Sequence, residues 1–270
     1  MGGVHAGHVG FYLKTSRKVR LIGGKVRRTR KVWKKYAWGL VAALLLLSLG
    51  LAVLDAYRAS PTKIAVIHIR GEINDFGYAD LARDALGDPT VKAVILDVDS
   101  SGGSVQACFE TERALRMLNE NKPVIVAMGE YATSGAYLVS TASDYIFARS
   151  ATITGGLGVM AIWVSYENWL EKEGIRYYRW VTGPMKDLGA WYRSPTPEEN
   201  EYLQELVENL LDEVVKRIKR NRPQLENVID SLTDGSTLYG VDALALKLVD
   251  EIGSFDDAVK KAEELTGLCK

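Results

Sequence analysis

The chain has 270 residues, 47% hydrophobic content and no formal net charge, which suits one sizeable globular domain plus an additional apolar segment. Its two cysteines provide no metal-binding spacing. Residues 1–54 hold eleven Lys and Arg and no Asp or Glu, which leaves 23 basic against 34 acidic residues in 55–270. The composition therefore predicts a basic N-terminal segment, residues 1–35, ahead of an acidic soluble body. We interpret this segment as a solvated charge run beside a membrane, with no nucleic-acid partner.

An uncharged apolar run extends from Tyr36 to Leu54. At ~1.5 Å per residue a helix of this length spans about 28 Å, close to the thickness of a bilayer core. We expect one transmembrane anchor in the cell membrane, with the basic N-terminus in the cytoplasm and the following domain outside it. A cleaved signal peptide is the alternative, but the long basic region and the lack of a small-x-small cleavage motif favour an uncleaved anchor.

After a linker at 55–62, strand and helix patterns alternate along the expected domain, residues 63–270. Alternation of this kind predicts an α/β sheet with right-handed crossovers. The predicted strands are Lys63–Arg70, Val91–Val98, Val124–Met128, Tyr145–Ala148, Gly158–Val164 and Arg176–Val181. The predicted helices are Tyr78–Leu86, Val105–Asn119, Ser134–Ala142, Tyr166–Glu173, a long amphipathic helix from Pro197 to about Arg220, Gln224–Leu232 and Phe255–Leu265.

Ser134 lies in a turn of small residues that opens a predicted helix. A serine hydroxyl is a poor nucleophile until a base removes its proton. His68 falls inside a predicted strand, and His5 and His8 precede the membrane span, so a histidine base is not expected. If Ser134 is a nucleophile, the base is then a lysine, and the hypothesis is a Ser–Lys protease.

Three glycine-bearing turns each follow a predicted strand: Gly102-Gly103, Gly135 and Gly155-Gly156. In α/β sheets, sites gather at the carboxyl ends of strands. The amides of Gly103 and Gly135 could hold a developing oxyanion, because glycine lets a backbone N–H approach a substrate carbonyl closely. The alternative is that all three are ordinary turns.

Lys186 is a candidate base because it lies in an apolar loop after a predicted strand. A neutral lysine needs burial or a cationic neighbour to lower its pKa from about 10.4. Lys172, Lys216 and Lys219 fall on charged helix faces instead. The residues alone leave Lys186 open between a base and a surface lysine.

Several short segments of the predicted domain carry a recognisable combination of motifs. They are Asp99–Ser104, Met128-Gly129, Ala132–Tyr137, Ala142–Ala148, Thr154–Val159, Lys186-Asp187, Asp234–Ser236 and Leu248–Gly253. In combination they resemble the signal peptide peptidase A family of membrane-anchored Ser–Lys proteases. The resemblance covers about residues 63–265 and implies the fold of the Clp protease and crotonases, a repeated ββα superhelix with a C-terminal helical region. It implies Ser134 as nucleophile, Lys186 as general base, and Gly103 with Gly135 as oxyanion donors.

The resemblance also implies how substrates bind and how the protein assembles. We expect an extended peptide to add a strand beside the site. Its expected contacts are Gly102, Ser104, Gly155, Gly156, Leu157 and Gly158. Expected substrates are signal-peptide remnants and other apolar peptides with small or aliphatic groups at the cleavage pocket, with no cofactor and no metal. The family further implies a ring- or dome-shaped homo-oligomer in which serine and lysine meet across a protomer boundary.

Two positions depart from the family pattern. Ser101 stands where the family usually has proline, and Gly156 where it commonly has a serine that orients the lysine. Thr154, a water or a backbone carbonyl would have to replace that serine. Three alternatives to a signal-peptide peptidase remain: a quality-control endopeptidase for membrane-associated proteins, a non-catalytic scaffold of the same fold, and acyl-CoA chemistry as in crotonases. The membrane anchor and the Ser134/Lys186 pair argue against the last.

Overall fold

The computed structural model describes residues 26–58 and 62–268, which divide into an N-terminal helix and a compact C-terminal unit. The helix, α1, covers Val26–Arg58. It contains an 18-residue stretch, Tyr36–Val53, with a mean hydropathy of 2.1 and exposed side chains throughout. This stretch is long and apolar enough to cross a bilayer. The helix continues to Arg58, so the first residues of the predicted linker are helical.

The C-terminal unit is built on a sheet of seven strands, which confirms the predicted α/β class. Five strands follow the order β1-β2-β3-β4-β7, all parallel to their neighbours, and the short β5 pairs with the end of β3 and antiparallel with β6. The strands are β1 Lys63–Arg70, β2 Val91–Ser100, β3 Val124–Thr133, β4 Tyr145–Ala148, β5 Ile153–Gly155, β6 Thr237–Tyr239 and β7 Glu251–Ile252.

Helices cover both faces of this sheet, which is why its central strands read as continuous apolar runs. Successive residues of a strand point to opposite faces. Along β2, Val94 and Leu96 join the larger core, whereas Ala93 and Ile95 join a smaller core beneath the last helix. The helices are α2 Gly77–Gly87, α3 Val105–Asn119, α4 Gly135–Ser140, α5 Glu167–Lys172, α6 Pro197–Asn221, α7 Gly240–Ala245 and α8 Phe255–Thr266, with 3₁₀ turns at Pro223–Leu225 and Ile229–Leu232.

Two predicted strands, Gly158–Val164 and Arg176–Val181, do not form. Their apolar alternation is present, but among the described residues no strand pairs with them, and 157–165 make no backbone–backbone hydrogen bond. Without a partner, such a segment has no ladder to join. The two segments belong to one long connection, residues 157–196, here called the arm. Its only regular helix within the described chain is α5.

The arm exposes large apolar side chains to an unusual extent. Met160, Ile162, Tyr178 and Trp180 are 82%, 75%, 76% and 89% exposed. Single exposed hydrophobic residues are normal, but this many on one connection mark it as a candidate interaction surface. The arm then leads into α6, whose first turn is closed by a capping box between Thr196 and Glu199.

Candidate active site

Ser134 occupies the single residue between β3 and α4, in a backbone conformation that side chains rarely adopt. Its φ is 54° and its ψ is −123°. The turn is held on both sides, because Ser134 N donates to the Gly155 carbonyl at 2.7 Å and Leu138 N donates to the Ser134 carbonyl at 3.1 Å. Such strain persists only where the surroundings impose it, and it concentrates at functional sites. A sharp turn from a strand into a helix also lifts a nucleophile clear of the sheet.

The loop Ser101–Ser104 lies directly against this turn. A Cβ added to Gly102 would come within 2.8 Å of Gly135 N and 3.1 Å of Ser134 Cβ. A Cβ added to Gly103 would overlap the backbone of Ile73, which is bonded to the loop through Gly102 O and Ser104 N. Both glycines are therefore required by close packing of backbone on backbone.

The amides of Gly103 and Gly135 are available to a ligand. Neither donates a hydrogen bond to any other group in the described part of the chain. Gly135 is the first residue of α4, so its N–H has no acceptor within the helix. Two free amides beside a serine are the arrangement that stabilises a developing oxyanion.

Beside Ser134 a cavity of about 520 Å³ opens between the Ser101–Ser104 loop and the start of the arm. Its deeper wall is apolar and includes the buried residues Cys108, Leu138 and Leu157. Burial raises the pKa of the Cys108 thiol to about 11, so it stays protonated and acts as a small apolar wall. A cavity of this size accepts a large side chain.

Most residues that the sequence predicts for the site come together here. Gly102, Gly103, Ser104, Ser134, Gly135, Leu157 and Gly158 all line the cavity. Gly155 and Gly156 lie just behind it: the Gly155 carbonyl accepts from Ser134 N, and Gly156 N donates to the Ser236 carbonyl at 2.9 Å. Gly156 has a φ of 63°.

Lys186 is not among the residues that line the cavity, and its side chain is exposed on the arm. The loop that carries it is nevertheless firmly held. The neighbouring Asp187 binds Arg193 through Oδ1 to Nη2 at 2.8 Å and Oδ2 to Nε at 2.9 Å, and Arg179 adds a further ion pair at 2.5 Å. Arg193 holds the pKa of the Asp187 carboxyl well below its usual range.

Arg193 joins this loop to the start of α6. Its guanidinium also binds the buried Glu199, and it lies 5.1 Å from the centre of the Trp163 ring. The Trp163 indole in turn donates to the Ala190 and Arg193 carbonyls at 3.0 and 3.1 Å. Sequence patterns gave no sign of this cluster, since its members fall in a loop without periodicity.

Two other side chains considered from the sequence are engaged elsewhere. His68 lies on β1 with Nδ1 2.8 Å from Asp97 Oδ2, outside the cavity. Thr154, a possible substitute for the absent serine at 156, is fully buried and donates to the Ala132 carbonyl at 2.7 Å. Its hydroxyl proton is therefore already used in a hydrogen bond within the sheet and is not free for the role considered for that serine.

Fold and site together define an α/β protein with a strained serine at a strand–helix turn, two free amides and an adjoining cavity. The chain belongs to peptidase family S49, whose family model matches residues 116–269. It is 38% identical over 221 residues to "Protease 4" of Haemophilus influenzae, covering 76% of this chain and 35% of that protein. It is 36% identical over 199 residues to "Protease 4" of Salmonella typhi, covering 73% of this chain and 32% of that protein.

A plant relative carries a more specific description. The chain is 27% identical over 208 residues to "Serine protease SPPA, chloroplastic" of Arabidopsis thaliana, covering 74% of this chain and 31% of that protein. The chain thus spans about a third of the length of these three relatives.

Proposed function

We propose that the protein is a membrane-anchored serine endopeptidase that uses a Ser–Lys dyad. In this proposal Ser134 is the nucleophile, Lys186 the general base, and the amides of Gly103 and Gly135 the oxyanion donors. The observation that carries it is the strained Ser134, placed beside two unused amides and a cavity of about 520 Å³. Membership of a peptidase family supports the same activity.

The reaction would proceed by covalent catalysis. Neutral Lys186 accepts the Ser134 Oγ proton as Oγ attacks the peptide carbonyl, and the two amides bind the oxyanion. Lys186 then protonates the leaving amine, and water hydrolyses the acyl-enzyme with Lys186 again as base. The bound peptide would lie along 157–160, where the backbone has no hydrogen-bond partner in the described chain, and extend the sheet by β-augmentation.

The exposed arm supports assembly with further copies of the chain. Lys186 sits on a segment rich in uncovered aromatic and aliphatic side chains, and a base must be desolvated to be neutral. A second copy that covered the arm would bury both Lys186 and these apolar side chains. We therefore propose a homo-oligomer in which Lys186 of one protomer serves Ser134 of the next.

We propose that Tyr36–Leu54 anchors the domain, with residues 1–35 in the cytoplasm and 63–270 outside it. The 18-residue apolar stretch of α1 and the eleven basic residues before it support this orientation. An active site held outside the membrane by a short tether suits peptides released into or near the bilayer. Signal-peptide remnants and other apolar peptides are the proposed substrates.

The direct test uses the full-length chain in detergent with a fluorogenic peptide and a serine-directed covalent probe. We expect the wild type to cleave and to be labelled at Ser134, and both Ser134→Ala and Lys186→Ala to lose cleavage by several orders of magnitude. Lys172→Ala is the matched control, a lysine on the short α5 of the same arm, and should leave activity unchanged. Absence of labelling in a folded, assembled wild type would favour a non-catalytic scaffold.

Mixed assemblies test the shared site. Co-expressed Ser134→Ala and Lys186→Ala chains should recover part of the wild-type rate, because some interfaces pair an intact serine with an intact lysine. Purification through two different tags verifies that both chains are present. If such mixtures stay as inactive as the single variants, the dyad lies within one chain.

Product profiles separate the two proteolytic alternatives. Signal-peptide remnants should be cleaved faster than longer membrane-protein substrates if the protein clears such remnants. The opposite preference would favour a quality-control endopeptidase.

A further inference from the structure

The cavity beside Ser134 carries one charged side chain among the described residues that line it, Glu72. Glu72 and Asn74 both line the cavity, whereas Ile73 between them is fully buried behind it. This alternation is that of an extended segment. The segment is fixed in place because Ile73 N donates to Gly102 O at 2.8 Å and Ser104 N donates to Ile73 O at 3.0 Å.

Within the described part of a single chain, the Glu72 carboxylate lies without a cation to neutralise it. No Lys, Arg or His of the described residues forms an ion pair with it, although the same chain pairs many of its other carboxylates. Its one side-chain partner is Asn74, whose Nδ2 donates to Oε2 at 2.7 Å. Asn74 is itself fastened to the loop, since its Oδ1 accepts from Ser104 N at 3.2 Å. A carboxylate accepts about four hydrogen bonds, so most of its capacity remains free.

The cavity thus combines an apolar wall with a single negative charge. Cys108, Leu138 and Leu157 form the wall, and Glu72 is exposed at the rim. A lysine or arginine side chain matches both parts, because its methylene stem packs on apolar surface while its charged head stays near water. The cavity volume, about 520 Å³, is also more than the small or aliphatic groups expected from the sequence require.

We propose that this cavity receives the side chain on the acyl side of the cleaved bond and favours lysine or arginine there, with Glu72 as the specificity-determining residue. The inference rests on the proposed peptidase function. It assigns the substrate class as peptides that are apolar overall but carry a cationic residue before the cleavage point. Glu72 touches neither the nucleophile nor the oxyanion, so it selects substrates without taking part in the chemistry.

The test compares peptides that differ only at this residue: arginine, its neutral isostere citrulline, lysine and norleucine. With the full-length wild type in detergent, kcat/KM for arginine should exceed that for citrulline about 1.5- to fivefold, the range of a partly exposed ion pair. The ratio should fall to about one in Glu72→Gln and below one in Glu72→Lys. It should also fall at high salt, because salt screens an exposed charge pair.

Asp84→Asn is the matched control, since Asp84 is an exposed carboxylate on α2 that does not line the cavity. It should leave the arginine-to-citrulline ratio at the wild-type value. Equal labelling of Ser134 by a serine-directed probe in all variants shows that the site is intact. If labelled wild type and Glu72→Gln share one ratio, the specificity proposal is wrong and the peptidase proposal stands. If no peptide is cleaved and Ser134 is not labelled, the peptidase proposal itself fails.

Discussion

Arg193 and Glu199 form a buried, bidentate ion pair, in which Arg193 Nη2 lies 2.5 Å from Glu199 Oε1 and Arg193 Nη1 lies 2.6 Å from Glu199 Oε2. Through the same guanidinium, Arg193 binds Asp187, the residue next to Lys186. The loop that carries the proposed base is therefore fastened to the capped start of α6. Lys186 itself lies on the surface of the single chain, but the backbone beside it has a defined attachment.

Replacing Arg193 with methionine should loosen this attachment. It would leave the buried Glu199 without its cation and Asp187 with Arg179 alone, which is strongly unfavourable. We expect a lower Tm and, since misplacement of a catalytic group is costly, a fall in kcat of about tenfold or more with little change in KM. Arg176→Met, an exposed arginine of the same arm with no side-chain hydrogen bond in the described chain, is the control. A variant with lower Tm but wild-type kcat would show that Arg193 is only structural.

The same cluster predicts how stability depends on pH. Arg193 lowers the pKa of both Asp187 and Glu199 in the folded chain. Groups with lowered pKa contribute stability above their unfolded values, about 3.9 and 4.3, and lose it as pH falls through the folded values. The Tm difference between wild type and Arg193→Met should therefore be constant near neutral pH and shrink below about pH 4. Thermal unfolding across this range measures it, and a difference that grew with acid would contradict the assignment.

We predict that position 135 accepts a side chain at lower cost in stability when the Cys108 side chain is also shortened. A Cβ at position 135 would overlap the Cys108 sulfur and come within 3.3 Å of its Cβ. We expect Gly135→Ala to lower both Tm and kcat/KM, and the added Cys108→Ala to restore part of the Tm by removing that sulfur. Differential scanning fluorimetry and peptide cleavage measure the two effects.

Gly103→Ala serves as the contrast to this pair. Its Cβ would meet the Ile73 backbone rather than a side chain, so Cys108→Ala should not rescue it. Equal rescue of both glycine variants would point to a general effect of Cys108→Ala on stability.

The serine that the family resemblance leads us to expect at position 156 can be introduced and tested. Gly156 has a φ of 63°, and a Cβ there would lie 3.2 Å from Thr237 Cγ2. Both Gly156→Ala and Gly156→Ser should therefore be less stable than wild type, by about 1–2 kcal/mol. Comparing the two isolates the hydroxyl: a higher kcat in Gly156→Ser than in Gly156→Ala would mean that a serine there orients the base. Equal kcat values would mean that the chain does not use that position.

Sequence patterns predicted most of the fold because buried strands and amphipathic helices leave strong periodic signals. Lys63–Arg70 and Val105–Asn119 form the predicted strand and helix with the predicted bounds. The short β5 and β6 were missed, since three residues are too few to show a period. The strands predicted at 158–164 and 176–181 were wrong for this chain, because alternation indicates a strand but does not supply its partner.

The site was predictable in part. Small residues after a strand pointed to Ser134, and the glycine turns pointed to the loop that packs on it. The conformation of Ser134 was not predictable, because serine, unlike glycine or asparagine, is no signal of a positive φ. Nor was the Arg193 cluster, whose members lie in a segment without regular structure. The role of Lys186 remains a prediction, since the cavity of the single chain does not include it.

The backbone conformation at Ser134 lowers the stability of the fold in order to present a hydroxyl group. A φ of 54° would suit glycine, so a serine held there costs on the order of 1–3 kcal/mol. Ser134→Gly should accordingly unfold at a higher temperature than Ser134→Ala, and above the wild type as well, while losing the hydroxyl. Selection for stability alone would therefore favour glycine at position 134. That this chain spends stability on a hydroxyl here is a reason to look for the reaction that uses it.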